Sequence, residues 1–345
     1  MGYGWRMTHG RPWQIPGLGR LLAPLGAVYG WAASRRRKVM APRGYRFPVP
    51  VISVGNLTVG GAGKTPFVSH LLGRLPHALS PPLVLARGYG DALPGEPTSL
   101  NDEGQMLARR HPGLAQAQGA DRIAAARTVW EEVQPRSVIL DDGAQHLAIQ
   151  RDLEILLLDA PSLLESARVL PAGPWREPLR EARRADLLVL TKLQDVGEEG
   201  AARAAKRLQQ VATGIPLLRA RDHACSWMDG GARRSVEDLA GLKVGLVAGI
   251  ARPESFQRTV ESLGAGVAWL ETPGDHRRLS PRSVRVLRRR AATVDRILVT
   301  EKDAARISDQ LEGLPWGYIE MALRVEDEAG DLDCALAVLA ERGAA

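Results

Sequence analysis

Between residues 11 and 40 the large apolar side chains Trp13, Ile15, Leu18, Leu21, Leu22, Leu25, Val28 and Tyr29 recur at intervals of mostly three and four, with Arg20 and a basic cluster at 35–38 on the flanks. This spacing predicts an amphipathic helix with aromatic and cationic edges. Such a helix can lie in a membrane interface, with Trp and Tyr at headgroup depth and Arg against anionic lipid. The plainer alternative is a helix packed on the domain with a solvated basic tail. From Pro48 the pattern changes: 49–54 is a β-branched run, 55–63 is glycine-rich, and 65–75 reads as a helix. Further buried strands are expected at 83–86, 137–140, 153–159 and 187–191, followed by a polar helix at 200–212. After a variable-looking stretch around 222–231, a second strand and helix series starts at 243–249 and continues through 267–270 and 296–300.

Strands alternating with helices imply a mainly parallel sheet covered on both faces. The pattern divides the chain into an N-terminal segment (1–47), a first α/β domain (48–235) and a smaller C-terminal α/β domain (236–345). At 345 residues, 45% of them hydrophobic, there is enough material for proper cores, so disorder and small stapled scaffolds are excluded. Cys225 and Cys334 have no metal-type spacing and suggest a reducing compartment. The apolar stretch at 21–33 contains Pro24, Gly26 and Gly30 and is too short to span a bilayer, which takes about 20 helical residues. It runs into Arg35 where a leader peptide would need a small-residue cleavage site, so the start is expected to be retained and the chain to stay in the cytoplasm.

The net charge of +7 is unevenly placed. Twelve basic residues precede the first acidic one, Asp91, leaving 34 of the 46 basic residues to face all 39 acidic ones. The chain is a mildly acidic body with a cationic N-terminal end, which puts anionic partners at that end.

The run Thr58, Val59, Gly60, Gly61, Ala62, Gly63, Lys64, Thr65 falls between a predicted strand and a predicted helix. Glycines there let successive backbone N–H groups curl around phosphate oxygens, and the helix N-terminus adds its positive dipole. Lys64 suits the β- and γ-phosphates and Thr65 a magnesium ion. Thr58 stands where the strict motif has Gly. The expected fold is therefore P-loop NTPase-like, and a nucleoside triphosphate the expected cofactor. A strand ending in Asp141 and Asp142 follows some 70 residues later, where such a fold needs an acid for the metal. Gly143, Gln145 and His146 then fall in a loop at the sheet's carboxyl edge, where ligands bind in open α/β sheets. Asp102 and Glu103 begin a predicted helix after Asn101 and read either as simple caps or as a general base and a metal ligand. Asp275 and His276 form an acid–imidazole neighbour pair in the second domain. The Arg-rich stretch 277–290 that follows holds no acid, and reads as a phosphate or lipid contact or as a solvated face.

Taken in order, 50–66, Arg87-Gly88-Tyr89-Gly90, Asn101-Asp102-Glu103, 141–146 with Arg151-Asp152, 170–177, Asp275-His276 and 300–303 resemble the tetraacyldisaccharide 4'-kinases of lipid A biosynthesis. The resemblance runs from about residue 13 to about 325. It implies a kinase that transfers the ATP γ-phosphate, with Mg²⁺, to the 4'-hydroxyl of a tetraacylated glucosamine disaccharide 1-phosphate. That enzyme works on the cytoplasmic face of the bacterial inner membrane. It implies Asp102 as the catalytic carboxylate, His276 as its partner and Lys64 as a catalytic cation. It also puts Thr65, Glu103, Asp141 and Asp142 near the metal, and Arg87, Tyr89, Gln145, His146, Arg176 and Glu177 at the substrate. Ala144 and Arg277 depart from the family pattern, which bears on the local shape of the acceptor pocket.

A membrane-associated P-loop switch or partitioning ATPase is the alternative. Such proteins often carry Lys where this chain has Val59, and a guanine-binding switch would have Asp where it has Gln194. Aromatic and aliphatic residues beside the Arg clusters weaken nucleic-acid binding. A lipid disaccharide and a membrane surface are the expected partners, with no nucleic acid and no obligate protein partner.

Overall fold

The structure is a computed structural model that describes residues 18–88, 100–165, 167–250, 253–273 and 278–344. The chain runs α1 (Leu18–Leu21), α2 (Ala23–Met40), β1 (Val51–Asn56), α3 (Lys64–Leu72), β2 (Pro82–Ala86), α4 (Asp102–Arg110), β3 (Ala115–Gln118), α5 (Arg122–Val133), β4 (Ser137–Asp141), β5 (Leu153–Asp159), α6 (Ala160–Leu164), β6 (Leu187–Thr191), α7 (Gly197–Val211) and β7 (Leu217–Asp229). It continues through β8 (Ala232–Arg234), β9 (Lys243–Val247), α8 (Pro253–Ser262), β10 (Gly266–Glu271), α9 (Pro281–Ala291), β11 (Arg296–Thr300), α10 (Glu301–Ile307), β12 (Trp316–Glu326) and α11 (Asp331–Ala344).

The strands join one sheet in the order β10-β9-β11-β12-β7-β6-β5-β1-β4-β2-β3, with β8 paired to β7. Strands β1, β4, β5 and β6 are buried at every position, as strands covered by helices on both faces must be. Nearly all pairings are parallel; β7 with β12 and β7 with β8 are antiparallel. Strand β7 pairs with β6 through Leu217–Arg219 and with β12 over its length, so the sheet passes without interruption from one half of the chain to the other. The stretch around 222–231 that reads as variable in sequence lies largely within this strand. The last helix returns to the first half: Leu332, Leu336 and Leu339 pack with Ile52, Phe67, Leu71 and Leu157.

Helix α2 packs on the domain through small residues and turns its large apolar ones outward. Its buried residues are Gly26, Gly30 and Arg37, while Leu21 of α1 (78% exposed) and Leu25, Val28, Tyr29 and Trp31 (61%) of α2 face outward. The contact is made by small residues because space is short: a Cβ on Gly26 would lie 2.8 Å from the Val169 carbonyl oxygen, and one on Gly30 would lie 3.1 Å from Pro178 Cγ. Trp13 and Ile15 lie outside the described residues. No helix among the described residues is long and apolar enough to cross a membrane.

The connection leaving β1 runs to β2 on one side, and the one leaving β4 runs to β5 on the other, all these strands being parallel, so the carboxyl ends of β1 and β4 flank a topological switch point, the crevice in which open α/β sheets bind ligands.

Candidate active site

The loop after β1 is pinned from both sides. Thr58 bridges Trp175, the Val59 N–H donates to the Pro174 carbonyl at 2.7 Å, and the Thr191 hydroxyl donates to the Ala62 carbonyl at 2.9 Å. Gly60 (φ 130°) and Gly63 (φ 83°) take left-handed conformations, and nothing lies within 4 Å of a Cβ built on either. These glycines are needed for backbone shape and leave open space beside the loop, as a phosphate cradle requires. Asn56 braces the turn, its amide donating to the Gly60 carbonyl at 3.3 Å while its Oδ1 accepts from Lys64 Nζ at 3.4 Å.

At the head of α3, Lys64 Nζ lies 3.3 Å from Asp142 Oδ1, and the Thr65 hydroxyl donates to Asp141 Oδ2 at 3.3 Å. Asp141 Oδ1 is buried without a hydrogen-bond partner among the described residues. Burial and the charge of Glu103 push the Asp141 pKa up to about 7, against Lys64. Burial acts on Asp142 in the same direction, but Lys64 and Arg176 overcome it and hold that carboxyl below its ordinary range. Asp142 therefore behaves as a fixed anion clamped between two cations, and it takes a left-handed φ of 54° to reach them. Asp141 is a buried acid with an oxygen to spare. Hydroxyl and carboxylate oxygens are the hard donors that Mg²⁺ prefers, so Thr65 and Asp141, with Glu103 close by, fit such an ion. No group of three or more His, Cys, Asp or Glu among the described residues is arranged to hold a metal by itself; a cation here would need oxygens from a bound phosphate as well.

The helix α4 carries the other acids. Its cap is Asn101, whose Oδ1 accepts from the Gly104 N–H at 2.8 Å, so Asp102 and Glu103 occupy the first turn and are not the caps that one reading of the sequence made them. A Cβ at Gly104 would collide with Gln118, so glycine lets the helix start press onto β3. Asp102 lies 4.0 Å from Nη1 of Arg306 on α10. Arg87 is exposed, with its carbonyl accepting from Asn101 Nδ2 at 3.0 Å. Tyr89, Asp275, His276 and Arg277 lie outside the described residues.

Behind the acids is a polar layer. Arg176 Nη1 donates to Asp142 at 3.2 Å and to Gln145 Oε1 at 3.0 Å, and Gln145 Nε2 donates to Glu177 at 2.8 Å and to the Asn56 carbonyl at 2.9 Å. Glu177 is buried, with Arg184 on its other oxygen at 3.0 Å. The guanidiniums of Arg37, Arg151 and Arg184 all meet on Glu154, at 2.8, 3.0 and 3.1 Å. Burial, Arg122 and Arg151 lower His146 to about 4, which leaves its imidazole neutral at pH 7. Sequence reasoning missed Asn56, which sits inside the quoted motif without a role, and Arg122, which opens α5 and donates to the Asp142 carbonyl at 3.3 Å. No spacing signal marks Arg122.

Phosphate loop, lysine and acids thus converge at the point where parallel strands diverge, the architecture of a P-loop nucleotide-dependent phosphotransferase. Within that class the chain belongs to the tetraacyldisaccharide-1-P 4'-kinase family, whose sequence profile matches residues 18–338. It is 36% identical over 337 residues, 88% of each chain, to a tetraacyldisaccharide 4'-kinase of Anaeromyxobacter dehalogenans (strain 2CP-1 / ATCC BAA-258). It is 38% identical over 317 residues, 86% of each chain, to one of Geobacter sulfurreducens. Its fold is similar to the crystal structure of the "apo" form LpxK from Aquifex aeolicus in complex with ATP, with a TM-score of 0.70 and 27% identity over 93% of this chain and 99% of that one.

Proposed function

We propose that this protein transfers the γ-phosphate of ATP to the 4'-hydroxyl of a tetraacylated disaccharide 1-phosphate at a membrane surface. The observation that carries the reading is the cluster at the head of α3, where Lys64 and Thr65 meet Asp142 and the spare oxygen of Asp141 beside an open glycine loop. The loop N–H groups and Lys64 would bind the phosphates. Thr65 and Asp141, with Glu103, would hold the magnesium ion, which supplies charge neutralisation on the phosphoryl oxygens. Asp102 would orient the acceptor hydroxyl and take its proton as the oxygen–phosphorus bond forms and the bond to ADP breaks. The outward face of α1 and α2, with Leu21, Leu25, Val28 and Trp31 beside Arg20, Arg35, Arg36 and Lys38, suits an anionic bilayer surface such as the cytoplasmic face of the inner membrane. Incubation with labelled ATP and a lipid disaccharide 1-phosphate should give a lipid one phosphate heavier. ATP hydrolysis without transfer to lipid would instead favour a switch-type ATPase.

A further inference from the structure

Helix α10 lies against α4 and is tied to it by two ion pairs, Glu301 with Arg110 and Arg306 with Asp102. The first is a plain anchor: Arg110 donates to Glu301 Oε1 at 2.8 Å and to the Met321 carbonyl at 2.6 Å. The second is unlike it. The Arg306 side chain is only 9% exposed, its Nη2 pairs with Asp303, and its Nε and Nη1 find no hydrogen-bond partner among the described residues. Asp303 is fully buried and cannot drift, because its Oδ2 accepts from the Gly249 N–H at 2.9 Å and from the Thr300 hydroxyl at 2.6 Å. A buried carboxylate therefore fixes a guanidinium whose Nη1 lies 4.0 Å from Asp102 Oδ2. Buried donors normally find acceptors, and besides Asp303 the carboxylate paired with this guanidinium among the described residues is Asp102, which takes the acceptor's proton in the proposed reaction.

We propose that Arg306 is a positioning residue for Asp102, acting through it and not on the nucleotide. It sets the direction of the carboxylate from the neighbouring helix α10, and Asp303 sets the direction of Arg306. This rests on Asp102 being the proton acceptor, and the test separates the two ideas.

In the full-length protein, Arg306→Gln should lower kcat by about 10²-fold, the effect of misplacing a reacting group by about 1 Å. KM for ATP should stay within about threefold and ATP binding should persist. Arg306→Lys, which keeps the charge and the Asp303 pair, should recover most of the rate. In an Asp102→Asn background, where there is no carboxylate to direct, adding Arg306→Gln should change the residual rate by less than about threefold, because residues acting as a unit are not additive. Near-normal kcat in Arg306→Gln overturns the proposal, as does an undiminished loss in the Asp102→Asn background. If Asp102→Asn alone turns over normally, the role of Asp102 falls and Arg306 with it, a result separate from the two above. Should Arg306→Gln fail to fold, the paired Asp303→Asn/Arg306→Gln variant removes both buried charges together and meets the same criteria.

Discussion

Asp141→Asn should make the ligand-free protein more stable while abolishing its turnover. The Asp141 carboxyl is fully enclosed, and burial, with Glu103 adding to it, moves its pKa from 3.8 to about 7. Because the folded-state value lies above the ordinary one, the protonated group favours folding. That contribution is fully present below about pH 4 and is lost as pH rises through about 7. The difference between 3.8 and about 7 corresponds to about 4 kcal/mol by which ionisation destabilises the folded state. An Asn amide removes that cost but leaves a buried polar group where Oδ1 has no partner, at about 1–3 kcal/mol. The net expectation is a variant about 1–3 kcal/mol more stable than wild type at pH 8 without ligand, and no more stable at pH 5, where the wild-type acid is already protonated. Since a 1 kcal/mol change moves Tm by roughly 2–4 °C in chains of 150–250 residues and by less in longer ones, the gain at pH 8 is a few degrees. Thermal unfolding from pH 5 to pH 9, with and without magnesium and ATP, measures it. Magnesium and ATP together should stabilise the wild type far more than the variant. A variant less stable than wild type at pH 8 in the ligand-free state, or an offset that does not change with pH, would refute the assignment of Asp141 as a buried acid awaiting a cation.

Lys64→Ala removes the cation at the head of α3 and should lower kcat/KM for ATP by about 10²–10³-fold in a steady-state kinase assay. Gly26→Leu forces a side chain into the Val169 carbonyl, 2.8 Å from the Cβ position, and should cost about 1–3 kcal/mol, read as a lower Tm and faster proteolysis near α2. Leu25, Val28 and Trp31 are exposed, so changing all three to Glu should leave folding and ATP binding intact. Each apolar side chain buried in a lipid interface contributes about 1.5–3 kcal/mol. The triple variant should therefore bind phosphatidylglycerol vesicles more than 10²-fold more weakly in a sedimentation assay.

The parts of the fold that were legible in sequence are those whose signal is local. Strands β5, β6 and β11 fall where continuous apolar runs place them, and the phosphate loop was visible because glycines, Lys64 and Thr65 are adjacent in the chain. Strands β3 and β12 escaped. The first is four residues, Ala115–Gln118, with two glutamines, and the second carries Glu320, Arg324 and Glu326 among its apolar residues along an antiparallel pairing with β7 that local pattern does not announce. In the site, Asp141 and Asp142 were found as a pair, but nothing in two adjacent aspartates says that one is a clamped anion and the other a buried acid with its pKa pushed up to about 7. That difference comes from Arg176, 34 residues from Asp142, and from the depth at which each side chain ends. Arg122, Arg184 and Glu154 were illegible for the same reason, since each matters only through partners brought close by folding.

The N-terminal charge shows how folding divides a single sequence feature. Consecutive residues of an α-helix are turned by about 100°, so the basic run at 35–38 cannot act as one surface. Arg35 lies over the Trp31 ring at 5.8 Å, Arg36 reaches Met40 Sδ at 3.4 Å, and both stay exposed on the outward face. Arg37 points the other way and is buried. It donates to the Ala144 carbonyl at 2.6 Å as well as to Glu154, and burial lowers its pKa more than Glu154 raises it. Ala144 in turn is pressed against Gly55, where any added Cβ would meet the Ala144 Cβ at 2.4 Å, so the glycine at 55 is a packing requirement of this contact. One side chain of α2 thus fixes the helix to the loop that leaves Asp141 and Asp142, and the outward cations of the same helix are free to meet another surface. The positive excess at the start of the chain therefore has an exterior part and an interior part, and the two can be separated by substitution: removing Arg35 and Arg36 changes only what the outward face can attract, while removing Arg37 leaves Glu154 to two arginines and loosens the loop beside the catalytic acids.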